Sequence, residues 1–493
     1  MRNKTPYLTG FSARLFGRAK ASAQARTRAE CRRIASHSIA DTARMFSPVL
    51  DARFMHELDA SPRRQSFDQV TTFWAWTGQI LGENASCSQA VGQVQTWCAE
   101  AGRPVPASNT AAYCIARGRL GDDFLEAVHG KVLDAMEVRQ RDADRWHGMT
   151  LKAIDGSSAQ LMDTPENQQA YPQPAGQKDG CGFPVMGFVG VVNLSSGAWL
   201  GAADGRWSEH DSSLAGEVLH HFSHGDLALA DRAFNSYELV SLLLARGTHS
   251  LMRLHQARHR KLKADWKRGD KLGPCERLVT WKKPAYLPAG SRLAPETWEA
   301  LPATLRVRYI RFRYENREGK KSEMVLVTTL TDASRIDWTE LAGLYASRWE
   351  IELKLRDLKT TLGMERFDVK SPAMARKTLR MMMIAHNLVR SMMQRAAIAS
   401  DSPLRAISFK GSLDLLLAWR ARHRGRHHHG RLATTMDAEL LGLLATKRVV
   451  ERPFRREPRA VKRRPKPYAY LTAPRHQFVE IQHRSRYRKP AQI

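Results

Sequence analysis

Acidic residues are scarce relative to basic ones: 49 Asp and Glu stand against 78 Lys and Arg, for a formal net charge of +29 and a pI near 10.3. Such a surplus implies a polyanionic partner, and nucleic acid is the commonest. The basic residues are spread along the chain and not gathered on one amphipathic helix, which speaks against a membrane surface. Cysteine is sparse too. Cys31, Cys87, Cys98, Cys114, Cys181 and Cys275 are far apart and contain no C-x-x-C pair, so neither a zinc site nor a disulfide framework is indicated. Reduced, mostly buried thiols are expected. No run approaches the ~18 apolar residues of a membrane span, and the polar, Arg-rich start lacks a secretory apolar segment. These absences point to a cytoplasmic protein without a membrane partner. With 493 residues it can hold several domains and at least one large core.

What is present changes character along the chain. Residues 1–145 read as a helical domain with a basic N-terminal arm. Ser66-Phe67-Asp68-Gln69 fits a capping box ahead of Val70–Leu81, and further helical patterns follow at 88–100, 110–119 and 124–139. DNA-end binding is the functional reading of this piece; a helical scaffold or dimerisation element is the plain one. Residues 1–40 carry many Arg and Lys and are expected to order on DNA. Near residue 148 the pattern turns to α/β. Thr150–Ile154 reads as a strand ending at the turn dipeptide Asp155-Gly156. Strand-like runs follow at 185–193, 199–203, 226–231 and 248–254, with helices at 212–222 and 236–246. Three antiparallel strands, a crossover and further parallel strands form the order of an α/β ribonuclease-H-like core over residues 146–375.

Residues 255–335 depart from that order and read as a mostly β insertion, with a hairpin formed by 306–314 and 323–330. From 376 to 493 the chain reads as a helical C-terminal region with a basic tail, a candidate for dimerisation. Its Met-rich helix 376–397 fits a core. The His427–His429 tract in an Arg-rich stretch reads as phosphate-facing or simply disordered rather than as a metal site.

Two features carry chemistry. Asp155 and Asp231 each end an expected strand, and groups at strand ends converge on one edge of an α/β sheet. An uninterrupted helical stretch then runs from Tyr345 to Lys359. At about 100° per residue, Tyr345, Arg348, Glu352 and Lys359 share a face roughly 60° wide, beside an apolar stripe of Leu344, Ile351, Leu355, Leu358 and Leu362. Taken alone, Glu352 and Lys359 could equally be solvated surface charges, and a strand-end Asp could simply cap its turn. Three hard carboxylates would suit Mg²⁺ or Mn²⁺.

The chain resembles the DDE transposases of bacterial insertion sequences, specifically the insertion-sequence-four family with its Y-x2-R-x3-E-x6-K signature. Tyr345, Arg348, Glu352 and Lys359 reproduce that spacing. The first Asp context, Ile154-Asp155-Gly156-Ser157 followed by Leu161–Asn167, is similar to the family pattern. So is Ala230-Asp231-Arg232-Ala233-Phe234, although the family more often has Glu at the position of Ala233. The likeness spans about residues 60–470.

The resemblance implies a metal-dependent DNA transposase. Asp155, Asp231 and Glu352 would be the catalytic metal ligands for two Mg²⁺ ions, with Mn²⁺ as a substitute, and Tyr345, Arg348 and Lys359 would contact DNA phosphates. The partners implied are double-stranded DNA, both terminal inverted repeats and target, and a second copy of the chain in a homodimeric synaptic complex. A hairpin intermediate and cleavage in trans are implied by analogy, as is a flipped base stacked on Trp266, Trp281 or Trp298. Two rival readings stay open: a nuclease on the same core that cuts without joining, and a non-enzymatic DNA-binding protein.

Overall fold

The structure, a computed structural model, describes residues 39–61, 65–82, 85–288, 290–315, 321–422, 431–450, 471–474 and 477. The expected basic arm, the His427–His429 tract and most of the basic tail lie outside them. The chain divides into two compact units: Met1–Gln140 with Thr361–Gly363 and Met381–Val449, and Arg141–Thr360 with Met364–Arg380 and Val450–Ile493.

The first unit is helical. Helix Gln69–Leu81 is capped by Asp68, whose side chain accepts from the Thr71 amide at 2.6 Å. The expected cap, Ser66, donates instead to the Pro104 carbonyl. Helices Cys87–Glu100, Ala111–Arg119 and Asp122–Glu137 follow the expected order. The Met-rich helix spans Pro372–Ala399, and its Met381, Met382, Met392 and Met393 are fully buried. Asn387 meets His129 at 3.1 Å, Gln394 donates to the Met136 carbonyl at 2.9 Å, and Arg420 donates to Thr42 at 3.2 Å. Met381–Val449, read from sequence as a region apart from residues 1–145, thus folds with the N-terminal helices. An apolar helix face needs a partner, and the N-terminal helices supply it.

The second unit is built on one mixed sheet. Its strands are β1 (Thr150–Leu161), β2 (Val185–Asn193), β3 (Ala198–Arg206), β4 (Asp226–Ala230), β5 (His249–Arg253), β6 (Asp270–Gly273), β7 (Glu276–Lys282), β8 (Thr304–Glu315), β9 (Lys321–Thr328) and β10 (Arg366–Phe367). The order is β3-β2-β1-β4-β5-β9-β8-β7-β6, with β10 beside β1. β2 runs antiparallel to β1 and β3, whereas β4 and β5 run parallel to β1. The three-antiparallel-then-parallel order expected from sequence is thus present. Hydrophobic spacing made it legible: β2 and β4 are buried almost throughout, as strands covered on both faces must be.

The segment 255–335 holds the expected hairpin, but also helices Gln256–His259, Leu262–Arg268 and Pro295–Ala300. Nor is it a separate sheet. β9 pairs antiparallel with β5 through Leu251↔Thr328 and Met252↔Val327, so the insertion extends the central sheet. Trp281, Trp298, Val307 and Tyr309 share one hydrophobic core with Ile154, Val189 and Ala230. Two buried ion pairs stiffen this unit. Lys152 meets Asp226 at 2.6 Å, and Arg308, fully buried, donates to Glu276 and to the Ile336 carbonyl. No helix among the described residues is long and apolar enough to cross a membrane.

Candidate active site

The last paired residues of parallel strands β1 and β4 are Ile154 and Ala230. There β4 ends, while β1 continues to Leu161 alongside β2. Asp155 is therefore mid-strand, and the expected turn at Asp155-Gly156 does not form, because β2 pairs with β1 well past that point. Asp155 and Asp231 stand beside each other where the two parallel strands part. Crevices outside strand ends of this kind are the usual binding position in open α/β sheets. Asp231 precedes the short 3₁₀ turn Arg232–Phe234, yet its carboxylate makes no capping hydrogen bond. The turn-capping explanation therefore fails for it.

The expected single helix from Tyr345 to Lys359 is broken in two places. Helix Trp338–Ala346 tightens at Ser347 and Arg348, whose amides donate three residues back, to Leu344 and Tyr345. The Ser347 hydroxyl also donates to the Leu344 carbonyl at 2.6 Å, competing with helix continuation. Helix Trp349–Arg356 follows, and then a wide π turn over Asp357–Thr361. Such turns are rare and cluster at functional sites. Tyr345, Arg348, Glu352 and Lys359 therefore do not lie on one uninterrupted helix.

Arg348 and Glu352 remain together, with Arg348 donating to Glu352 at 3.1 Å while lying 3.6 Å from Asp155. Tyr345 is buried. Its hydroxyl donates to the Ala230 carbonyl at 3.3 Å, one residue before Asp231, and its ring centre lies 6.0 Å from the Arg348 guanidinium. So placed, it lies beside both Asp231 and Arg348. Lys359, in the π turn, joins Gly156, Ser157 and Ser158 in lining a cavity of about 450 Å³. It makes no ion pair among the described residues.

The electrostatics identify what the carboxylates lack. Burial pushes the Asp155 carboxyl up to about 6; Arg348 and the Gly156 amide oppose this, while Glu352 and Asp231 add to it. The Asp155 side chain is 20% exposed. One guanidinium thus sits among three negative groups and does not balance them. Burial works against the Arg348 charge, but Tyr345, Asp155 and Glu352 outweigh it and raise its pKa. Among the described residues no three His, Cys, Asp or Glu side chains gather as a ready-made metal cluster. Arg348 lies between Asp155 and Glu352 instead. The donor set still fits a hard divalent cation: all-oxygen, multiply anionic and half-sheltered from water.

The three tryptophans proposed for base stacking separate clearly. Trp281 is buried, donates to the Tyr309 hydroxyl at 2.7 Å and lies under Arg258. Trp298 is buried against Tyr237. Both are core residues. Trp266 is only partly buried, between the guanidinium groups of Arg277 and Arg311. Trp207 is 52% exposed in the polar turn after β3, and the Asp211 carboxylate occupies the space beside Gly156.

Residues 146–388 match the family described as the transposase DDE domain. The transposase InsG for insertion sequence element IS4 of Escherichia coli strain K12 is 29% identical over 409 residues, covering 82% of this chain and 86% of that protein. The putative transposase InsZ of the same organism is 29% identical over 138 residues, 28% of this chain and 46% of that protein. A cryo-EM structure of the piggyBac transposase synaptic complex with hairpin DNA aligns over 84% of this chain and 85% of that chain, at a TM-score of 0.40 and 8% identity, too slight a likeness to argue from.

Proposed function

The chain belongs to the DDE transposases of the insertion-sequence-four family, and we propose that it moves its element by cut-and-paste on a ribonuclease-H-like core. In this reading it binds the terminal inverted repeats, hydrolyses one strand at each end to free a 3′-hydroxyl, and directs that hydroxyl onto target DNA. The observation that carries the reading is the convergence of Asp155 and Asp231 at the parting of β1 and β4, with Glu352 joined to them through Arg348.

Asp155, Asp231 and Glu352 would hold divalent magnesium, or manganese in its place. A pair of such ions supplies activation of the attacking oxygen and stabilisation of the leaving one. The chain's own residues set the geometry. The continuous strand β1 fixes Asp155, and Tyr345 anchors the Ala230 carbonyl beside Asp231. Arg348 restrains Asp155 and Glu352 before DNA arrives and is then free to turn toward the scissile phosphate, whose charge grows in the transition state. Lys359 offers a half-buried cation to the same strand. The helical unit and the excess positive charge serve DNA-end binding, and two copies act together in synapsis, each cutting the end bound by the other. A DNA hairpin links cleavage of the two strands.

Linear DNA carrying the inverted repeats that bracket the gene tests this directly. With Mg²⁺, nicks at the element ends are expected with wild-type protein, and none in EDTA or with Glu352→Gln. Undiminished cutting by Glu352→Gln would overturn the assignment of the site.

A further inference from the structure

Two cysteines that stand apart in sequence meet in the helical unit. Cys87 opens helix Cys87–Glu100, directly after the capping Ser86, and Cys114 lies near the start of helix Ala111–Arg119. Neither is bridged, and their side chains hydrogen-bond to one another. Their surroundings differ. Cys114 is exposed, whereas Cys87 is partly covered and its sulfur accepts from the Gln79 amide at 3.7 Å. Tyr113 donates to the oxygen of the same amide at 2.8 Å, which holds Gln79 against Cys87.

Arg117 is the charged group of this cluster. It is only 9% exposed, packs near the faces of Trp76 and Tyr113, and donates to the Cys114 sulfur at 3.8 Å. It has no carboxylate partner among the described residues, and its Nε is buried without a hydrogen bond. Buried charges are normally paired, and the groups here that can become anionic are thiols. Thiolates are favoured beside cations and are the forms that react with peroxides. Burial pushes the Cys87 thiol up, with Arg117 opposing. Exposure sets the order of events. Cys114 meets a dissolved oxidant first, and Cys87 waits in contact as its resolving partner.

We propose that Cys87 and Cys114 form a peroxide-sensitive dithiol that ties two helices of the helical unit together when oxidised. The Cys114 thiolate attacks one oxygen of hydrogen peroxide, the O–O bond breaks, and the other oxygen takes up a proton and leaves as water. The sulfur is left as a sulfenic acid. The Cys87 sulfur then attacks it, the S–S bond forms, and the hydroxyl departs with the Cys87 proton as a second water. Sulfur is oxidised and peroxide reduced, and a dithiol reductant reverses the bond. The site stands apart from the carboxylates and does not rest on their chemistry.

Full-length protein, reduced and then treated with a small excess of hydrogen peroxide, tests this. Peptide mapping by mass spectrometry without reductant should show Cys87 joined to Cys114, and dithiothreitol should undo the link. Oxidised wild-type protein should melt about 5 °C or more above the reduced form, and Cys114→Ser should show no such rise. In Cys87→Ser the Cys114 sulfenic acid should persist and be trapped by dimedone. Oxidation of Cys114 to a sulfinic acid with Cys87 left as a thiol in the wild-type chain would overturn the proposal. So would Cys87 oxidising as fast in Cys114→Ser as in wild type, or a cross-linked form that melts no higher than the reduced one.

Discussion

Replacing Asp155 with Asn should abolish cleavage and at the same time make the metal-free protein more stable at neutral pH. In the fold this carboxyl is pushed from 3.8 up to about 6, chiefly by burial, with Arg348 opposing the shift. A raised carboxyl pKa means that the native state keeps its proton to higher pH than the unfolded chain does. The resulting penalty is absent below about pH 4, grows as pH rises toward 6 and is constant above it. Two pKa units correspond to about 3 kcal/mol. Arg348 loses part of its pairing in the variant but keeps Glu352 at 3.1 Å, and an Asn oxygen can still accept from the Gly156 amide. A net gain of about 1–2 kcal/mol is therefore expected. Urea unfolding in EDTA at pH 8 and pH 4 reads it: the variant should be more stable at pH 8, and the difference should shrink toward zero at pH 4. A variant less stable than wild type at pH 8 would refute the reasoning, because Asp155 would then be a satisfied structural carboxylate.

Other consequences follow from the same geometry. Mg²⁺ should raise the melting temperature of wild-type protein and leave that of Asp155→Asn nearly unmoved, as measured by differential scanning fluorimetry. Gly156→Ala should disturb β1 at the site, since its Cβ overlaps the Asp211 carboxylate; a loss of about 1–3 kcal/mol in chemical unfolding is expected. Arg308→Ala leaves Glu276 buried without its partner and should cost about 3–5 kcal/mol, whereas Arg308→Met with Glu276→Leu should recover most of it. DNA affinity should fall by roughly a thousandfold between about 50 and 200 mM salt if the basic surface contacts phosphates; a flat response in filter binding would contradict that contact.

Sequence patterns revealed what local physics decides. The strands of the core announced themselves by apolar runs bounded by turns, and Asp231 by its position directly after one. The divergences arise where distant partners decide. Asp155-Gly156 has the composition of a turn, but β2 pairs with β1 from Lys152 to Gln160 and carries the strand straight through it. The insertion's β9 lies beside β5, a pairing some 75 residues apart that no local signal encodes. The stretch from Tyr345 to Lys359 lacks Pro and Gly, so it reads as one helix. The competing hydroxyl of Ser347 and the π turn at Asp357–Thr361 interrupt it instead. Met381–Val449 joins the N-terminal helices because its apolar face needs cover, and a boundary drawn from composition cannot see a partner so far away in sequence.

The most direct test of the central claim is strand transfer with pre-cleaved ends. DNA carrying the element's inverted repeat with a free 3′-hydroxyl, incubated with wild-type protein, Mg²⁺ and a supercoiled target, should give joined products. Those products should disappear with Asp155→Asn, Asp231→Asn and Glu352→Gln alike. Ends that are cut but never joined, or joining that survives the loss of any one carboxylate, would contradict it.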